Sequence, residues 1–259
     1  MLARTGKNLI RDPQASRVRV IQAIIMSILI ILVFWDMGTD TEGVNGKVGY
    51  LFFISINQVM TALFSVLLTF LSERPVFLRE YANKMYGIWP YFFSKSIVEV
   101  PFQACVPFLT AVITYFAVGL TDDADRFFLH ACVLILDVFC ATSFGFFVGC
   151  AVTNESAANA LISLMILPFI LFAGYFVNLD DVYVWLRWIQ YISPIRYSTE
   201  ALIRIEFEDN NRYTLGEQPY DTYKYDVGLA NCIIILAVLS IVFRLLALVF
   251  LKITVSRVQ

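Results

Sequence analysis

The segment LSERPVFLREYANKMYGIWPYFFSK, residues 71–95, decides how the rest of the sequence is interpreted, because it places several charges between two long apolar runs. Its central charged residues are Glu73, Arg74, Arg79, Glu80 and Lys84. The segment is compatible with a helix except at its two prolines, which lack the N–H that a helix interior uses. A basic, amphipathic connector of this kind is typical of a surface helix between two membrane spans.

Composition agrees with a membrane chain. Apolar residues make up 59% of the 259 residues, whereas soluble domains contain about half. Six apolar segments are long enough to cross a bilayer, which takes about 20 residues of helix. The sequence therefore predicts an all-α membrane protein, a single domain of residues 1–259 with six transmembrane helices. The predicted spans are about residues 18–35, 48–71, 92–120, 127–152, 157–177 and 227–251.

The charges of the connectors predict the orientation. The net charge of −2 hides a segregation, since the chain ends and the 71–95 connector are basic whereas the other connectors are acidic. The loop 178–226 carries nine acidic and five basic residues. Because basic connectors stay on the cytoplasmic side, both termini are expected to be cytoplasmic in a multi-pass protein, with the plasma membrane as the default location. No nucleic-acid partner is implied.

Two further connectors are expected to be ordered. Residues 4–22 have the pattern of an amphipathic helix at the inner surface, interrupted at a proline. In the loop 178–226, residues 182–207 (VYVWLRWIQYISPIRYSTEALIRIEF) interleave aromatic and basic residues and are too polar for a clean span. They predict a re-entrant or interfacial outer segment, with Trp185, Trp188 and Tyr191 as an aromatic belt.

Phosphate-binding and catalytic motifs are missing from the sequence. RTGKN (residues 4–8) and VNGKV (residues 44–48) lack the spacing and the Ser/Thr of a Walker loop. The five cysteines lie in apolar runs without metal-type spacing, so we expect no metal and no disulfide. The chain itself is expected to have no catalytic residues, to hold no cofactor and to hydrolyse no ATP.

Polar residues within the predicted spans are the remaining candidates, because an unpaired polar group in hydrocarbon is costly. Glu99 interrupts the third span beside prolines, and Asp137 lies near the middle of the fourth. Two interpretations of Asp137 stay open: a neutral acid bonded to Thr142, Ser143 or a neighbouring helix, or a functional proton or substrate contact. Asn57, near the middle of the second span, fits helix-to-helix bonding as well as a ligand contact.

Four stretches resemble the membrane domain of White-type, G-subfamily ABC transporters, which is an ABC-2 type domain. They are NLIRDPQA (8–15), GYLFFISINQ (49–58), ERPVFLREYANKMYGIWPYFFSKSIVEVP (73–101) and PFILFAGYFVNLDDVYVWLRWIQYISPIRYSTEAL (168–202). Their order and spacing extend the resemblance over nearly the whole chain. The family usually carries an N-terminal nucleotide-binding domain, and this sequence contains none.

The resemblance implies one half of an ATP-driven exporter that moves a hydrophobic or amphipathic substrate outward, such as a lipid, sterol or xenobiotic-like compound. Two membrane domains pair as a homodimer or heterodimer within the bilayer. A nucleotide-binding domain, covalent or separate, holds ATP and Mg. Residues 3–12 match the family's connecting helix. Residues 73–85 match its coupling helix, in which Val76, Phe77 and Tyr81 are expected to face the bundle, whereas the charged residues face water or the partner.

The same resemblance implies particular site residues. The substrate cavity at the dimer axis would be lined by residues of the second span, residues of the fifth span and one glutamine of the third. A bulky pair just after the fifth span would form the outer gate. The cavity residues are Phe53, Asn57, Met60, Gln103, Ser163, Leu167 and Ile170. The gate residues are Tyr175 and Phe176. The coupling residues are Glu73, Arg74, Phe77, Arg79, Glu80 and Tyr81.

Two other functions remain compatible with the sequence. The chain could be an ATP-independent carrier or channel that uses Asp137, or a non-transporting partner subunit. Hydropathy by itself does not separate these classes.

Overall fold

The structure is a computed structural model that describes residues 13–152, 154–177, 183–208, 210, 213, 219–223 and 225–256. This part of the chain is helical and contains no strand, which confirms the all-α fold for it. The elements are α1 (Pro13–Val33), α2 (Thr41–Ala82), α3 (Ile88–Ala117), α4 (Ala124–Ala151), α5 (Glu155–Leu171), a 3-10 helix (Val184–Tyr191), α6 (Pro194–Phe207), α7 (Pro219–Thr222) and α8 (Leu229–Ser256). The predicted connecting helix, residues 3–12, lies outside the described residues.

Four described helices are long and apolar enough to cross a membrane, namely α2, α3, α4 and residues 229–254 of α8. The predicted spans 18–35 and 157–177 fall on α1 and α5, and α5 is a shorter apolar helix of 17 residues. A total of six crossings therefore stays a prediction.

The coupling segment differs from the sequence expectation. It is helical to Ala82 but continuous with α2, which runs through Pro75 as one element of 42 residues. At 1.5 Å per residue this helix is about 63 Å long, roughly twice the thickness of the hydrocarbon core. A separate coupling helix is thus replaced by an extension of the second span. Pro75 is exposed there, and it leaves one backbone hydrogen bond of the helix unmade.

Helix α4 lies at the centre of the bundle, where it packs most extensively against α8 and α2. Its close approach to α2 depends on Gly149, since a Cβ at this position would lie 2.8 Å from the Phe70 ring. Small residues let helix backbones approach closely, which is how helices associate in a bilayer that offers no hydrophobic driving force between them.

The predicted outer segment contains two helices, Val184–Tyr191 and Pro194–Phe207. Trp185, Trp188 and Tyr191 are exposed, and their role as an aromatic belt stays a prediction. Helix α6, in contrast, is buried at every position except Arg204 and packs against α2, α4, α5 and α8. This polar helix therefore enters the bundle rather than resting on it, and its polar side chains must find partners there.

Candidate transport and coupling sites

The predicted cavity residues of α2 share one helix face. Phe53 is exposed, and Asn57 and Met60, four and seven residues further on, are half-buried. On α5, which packs against α2, Ser163 and Leu167 are exposed and Ile170 is half-buried. The structure thus has the two predicted sets on adjacent helices, and the described part of the chain leaves a largely apolar surface of these helices uncovered. We call this surface the α2/α5 face.

The predicted gate residues lie at one end of that face. The Tyr175 ring stacks on Phe52 with centroids 4.5 Å apart, and Phe176 meets Phe52 edge-on at 5.4 Å. The chain turns into this arrangement at Gly174, whose φ of +92° suits glycine. Phe52 was not identified from the sequence, and neither was Tyr223, which also stacks on Tyr175. A helical period alone cannot identify partners that come from a distant loop.

Gln103 does not belong with the α2/α5 face. It lines a pocket between α1, α2, α3 and α4, together with Arg19, Gln58 and Thr142. Gln58 lies about 100° round α2 from Asn57, because each helical residue advances by that angle. Gln103 thus lines a different surface from Phe53 and Asn57 in this chain, and its place in the substrate cavity stays a prediction.

The coupling end of α2 is held to the bundle by a cation. Arg74 is 5% exposed, and its guanidinium donates hydrogen bonds to the backbone oxygens of Gly149 and Val152 at the C-terminus of α4. Unpaired carbonyls at a helix end attract such a cation. The expectation that Arg74 faces water is therefore wrong, and so is the inward orientation expected for Val76, which is 55% exposed.

Aromatic stacking fixes the same end. Phe77 is buried and stacks on Tyr91 with ring centroids 4.1 Å apart. Tyr81 packs against Phe77, as expected, and Glu80 accepts a hydrogen bond from the Tyr86 hydroxyl at 2.6 Å. Arg79 is exposed. The coupling end thus presents Arg79 outward, while Arg74 and Phe77 anchor it.

A ladder of polar side chains leads from this end into the bundle. Lys95 is buried and forms ion pairs with Glu73 and, at 3.4 Å, with Glu99. Gln103 donates to Glu99 at 3.2 Å and accepts from Thr142 at 3.2 Å. The partner of Glu99 was not identified from the sequence, although the four-residue spacing of Lys95 and Glu99 is a helical pairing signal.

Asp137 is fully buried between α2, α4 and α6. Its Oδ2 accepts a hydrogen bond from the Ser55 hydroxyl at 3.0 Å, and the hydroxyls of Ser55 and Ser198 bond to each other. Thr142 and Ser143 instead bond to the backbone oxygen of Phe139. Asp137 therefore bonds to a neighbouring helix, which is one of the partners that the sequence left open, and not to Thr142 or Ser143 of its own helix.

Two further carboxylates were missed because they lie in the outer segment. Glu200 is fully buried and accepts from the backbone N–H groups of Val227 and Gly228 at 2.7 and 3.1 Å. Glu206 accepts from the Thr121 N–H at 3.1 Å and from its hydroxyl at 2.8 Å. Burial raises the pKa of Glu206, while hydrogen bonds from Tyr213 and Thr121 oppose the rise. Both carboxylates tie the outer segment to the spans.

These features define a helical membrane domain with an uncovered apolar face and an anchored, protruding coupling end. Residues 1–207 match the family described as ABC-2 type transporter. The chain therefore belongs to that family, as the membrane domain of a G-subfamily ABC transporter. In these transporters the ATPase, with its ATP and Mg²⁺, lies in a separate nucleotide-binding domain.

Similar proteins come from distant organisms. Protein white of Ceratitis capitata is 32% identical over 209 residues, which cover 81% of this chain and 31% of that protein. The broad substrate specificity ATP-binding cassette transporter ABCG2 of Sus scrofa is 32% identical over 209 residues, 80% of this chain and 32% of its own length. ABC transporter G family member 1 of Dictyostelium discoideum is 32% identical over 213 residues, 81% of this chain and 27% of its own. The chain spans about a third or less of the length of these relatives.

Proposed function

We propose that this chain is the membrane-spanning half of an ATP-driven exporter of neutral or amphipathic hydrophobic molecules. Two membrane domains would pair across the α2/α5 face, so that the two copies of this face enclose the substrate cavity. The observation that carries the proposal is the uncovered apolar face with one amide, Asn57, and a stacked aromatic plug at its end. Such a surface suits flat amphiphiles.

The energy would come from a nucleotide-binding domain acting on the coupling end. ATP and Mg²⁺ would be held by that domain, whereas this chain would receive its motion through residues 73–85 and the connecting helix. Arg79 and Lys84 are exposed cations available to a partner, and Arg74 would carry the displacement into α4 because it joins the two helix ends. The basic coupling end and both termini would then be cytoplasmic.

The direct test is transport in proteoliposomes that contain the full transporter to which this chain belongs. We expect uptake of a fluorescent sterol analogue or a fluorescent amphipathic dye into inside-out vesicles only when ATP and Mg²⁺ are present. Vesicles without ATP are the control. Equal uptake rates with and without ATP would show that the chain works as a carrier or channel.

Asn57→Leu should change substrate preference. Leucine has a similar volume but removes the amide from the α2/α5 face. A substrate that bonds to Asn57 therefore loses about one hydrogen bond, and its KM should rise roughly fivefold. We expect the ratio of KM values for the sterol analogue and the dye to shift by about this factor. Gln58→Leu, on another face of α2, is the matched control. An unchanged ratio in Asn57→Leu, or an equal shift in both variants, would argue against a cavity on this face.

Asp137→Asn tests the carrier alternative. The carboxyl is enclosed by α2, α4 and α6, and asparagine keeps an oxygen that accepts from Ser55. We therefore expect ATP-driven uptake by this variant to stay within about twofold of wild type, less than the effect of one hydrogen bond. A pH-gradient-driven flux that wild type shows and Asp137→Asn lacks would favour the carrier instead.

A further inference from the structure

The pocket between α1, α2, α3 and α4 is separate from the α2/α5 face. Its cavity volume is about 40 Å³, which is room for the polar end of a ligand rather than for a whole lipid. It is lined by apolar and hydroxyl-bearing residues of α2, α3 and α4 together with Arg19 and two glutamines. On α2 the pocket is lined by Gln58, Thr61 and Ser65, which recur at helical spacing on one face. Asn57 is not among its lining residues.

One hydrogen-bond donor in this pocket has no partner. Gln58 is only 3% exposed, and its Nε2 is buried without a hydrogen-bond partner among the described residues. Buried side-chain amides normally have their donors satisfied, because an unpaired donor in an apolar setting costs free energy. A ligand with an acceptor oxygen would satisfy it. Gln58 therefore marks where the polar atom of a ligand would lie.

The other amide group and the guanidinium of the pocket are already occupied. Gln103 is held on both sides by Glu99 and Thr142. Arg19 donates to the Thr69 hydroxyl at 2.7 Å and to the Ser65 backbone oxygen at 3.4 Å, and it is within electrostatic reach of Glu99 and Glu73. The positive charges of Lys95 and Arg19 thus offset the negative charges of Glu73 and Glu99. This balance favours a neutral ligand over an anionic one.

We propose that this pocket is a second ligand site, which takes the polar end of a neutral amphiphile through one acceptor oxygen at Gln58 Nε2 and through apolar contacts with Val106 and Val138. The acceptor is a hydroxyl or a carbonyl oxygen. A sterol supplies only a hydroxyl, whereas a diacylglycerol supplies a hydroxyl and two ester carbonyls, and both lipids are present in a bilayer. The site lies within one protomer, so its occupancy depends neither on ATP nor on the export route assigned to the α2/α5 face.

The test uses photo-crosslinking to the full transporter in lipid nanodiscs without nucleotide. A photoactivatable cholesterol and a photoactivatable diacylglycerol are added separately, and labelled peptides are mapped by mass spectrometry. We expect at least one probe to label pocket-lining residues of α2, α3 or α4. Labelling by the sterol probe shows that a hydroxyl is a sufficient acceptor, whereas labelling by the diacylglycerol probe alone indicates an ester carbonyl. Absence of labelling at this pocket by both probes would overturn the proposal.

Gln58→Leu should reduce that labelling by about fivefold, the loss of one hydrogen bond, while the adjacent Asn57→Leu should leave it unchanged. Val106→Phe fills the pocket from α3 without altering Gln58 and should also abolish labelling. Thermal unfolding of each variant shows whether it folds. Equal labelling of wild type and a folded Gln58→Leu protein would overturn the proposal, as would equal loss in Gln58→Leu and Asn57→Leu. If Gln58→Leu unfolds, the Val106→Phe result decides.

Discussion

Replacement of Glu200 by alanine should destabilise the domain by about 3 to 5 kcal/mol, because it breaks a buried ion pair from one side. The carboxylate is fully buried and accepts from two backbone N–H groups, those of Val227 and Gly228, just before α8 begins. It also pairs with Arg204 at 3.4 Å. Alanine would leave the two donors and a mostly buried guanidinium without this acceptor. A negative charge at the start of a helix is favourable as well, so α8 loses a capping anion.

The measurement is the thermal unfolding midpoint of the purified protein in detergent, followed by tryptophan fluorescence. Glu208→Ala is the matched control, because Glu208 pairs with the same Arg204 at 3.6 Å but its side chain is 43% exposed. An exposed pair contributes about 0 to 1 kcal/mol. Glu200→Gln, which keeps one acceptor oxygen, should fall between the two. If Glu200→Ala and Glu208→Ala unfold at the same temperature, the anchoring role of Glu200 is wrong.

Arg74→Ala should have the second largest effect, and it should act on both stability and transport. Its guanidinium donates to the backbone oxygens of Gly149 and Val152, and hydrogen bonds from charged donors contribute about 1.5 to 3 kcal/mol each. Alanine would leave the last carbonyls of α4 without this partner and would detach the coupling end of α2 from α4. We expect a loss of roughly 3 kcal/mol, together with ATP hydrolysis that no longer drives transport.

The control lies five residues further along the same helix. Arg79 is exposed, so Arg79→Ala should change stability by no more than about 0.5 kcal/mol, as is usual for surface substitutions. If the coupling end receives the nucleotide-binding domain, Arg79→Ala should still lower ATP-driven transport. Unfolding temperatures and transport rates of the two variants are compared in the same preparation. A larger loss of stability in Arg79→Ala than in Arg74→Ala would refute the anchoring role of Arg74.

The helical membrane fold could be predicted from the sequence because the length of an apolar run is a local property of the chain. The α2 face formed by Phe53, Asn57 and Met60 could be predicted for a related reason, since a helix fixes which neighbours in sequence share a side. The charge of the outer aromatic segment indicated that it is not an ordinary span. The burial of helix α6 in the bundle was not foreseen. The polar residues of α6 suggested an interfacial position, but they are paired inside the protein instead.

The sequence alone thus predicted the membrane class of the protein, its approximate helices and the shared face of Phe53, Asn57 and Met60, but not the faces of Arg74 and Val76. Only the tertiary structure decided how those faces meet. Ser55 reaches Asp137 across 82 residues, Arg74 reaches Gly149 across 75, and Glu200 reaches Val227 across 27. These contacts turn Arg74 inward and place Gln103 beside Gln58. The physical reason is that helical periodicity repeats every few residues, whereas the packing that satisfies a buried polar group depends on helices far apart in the chain.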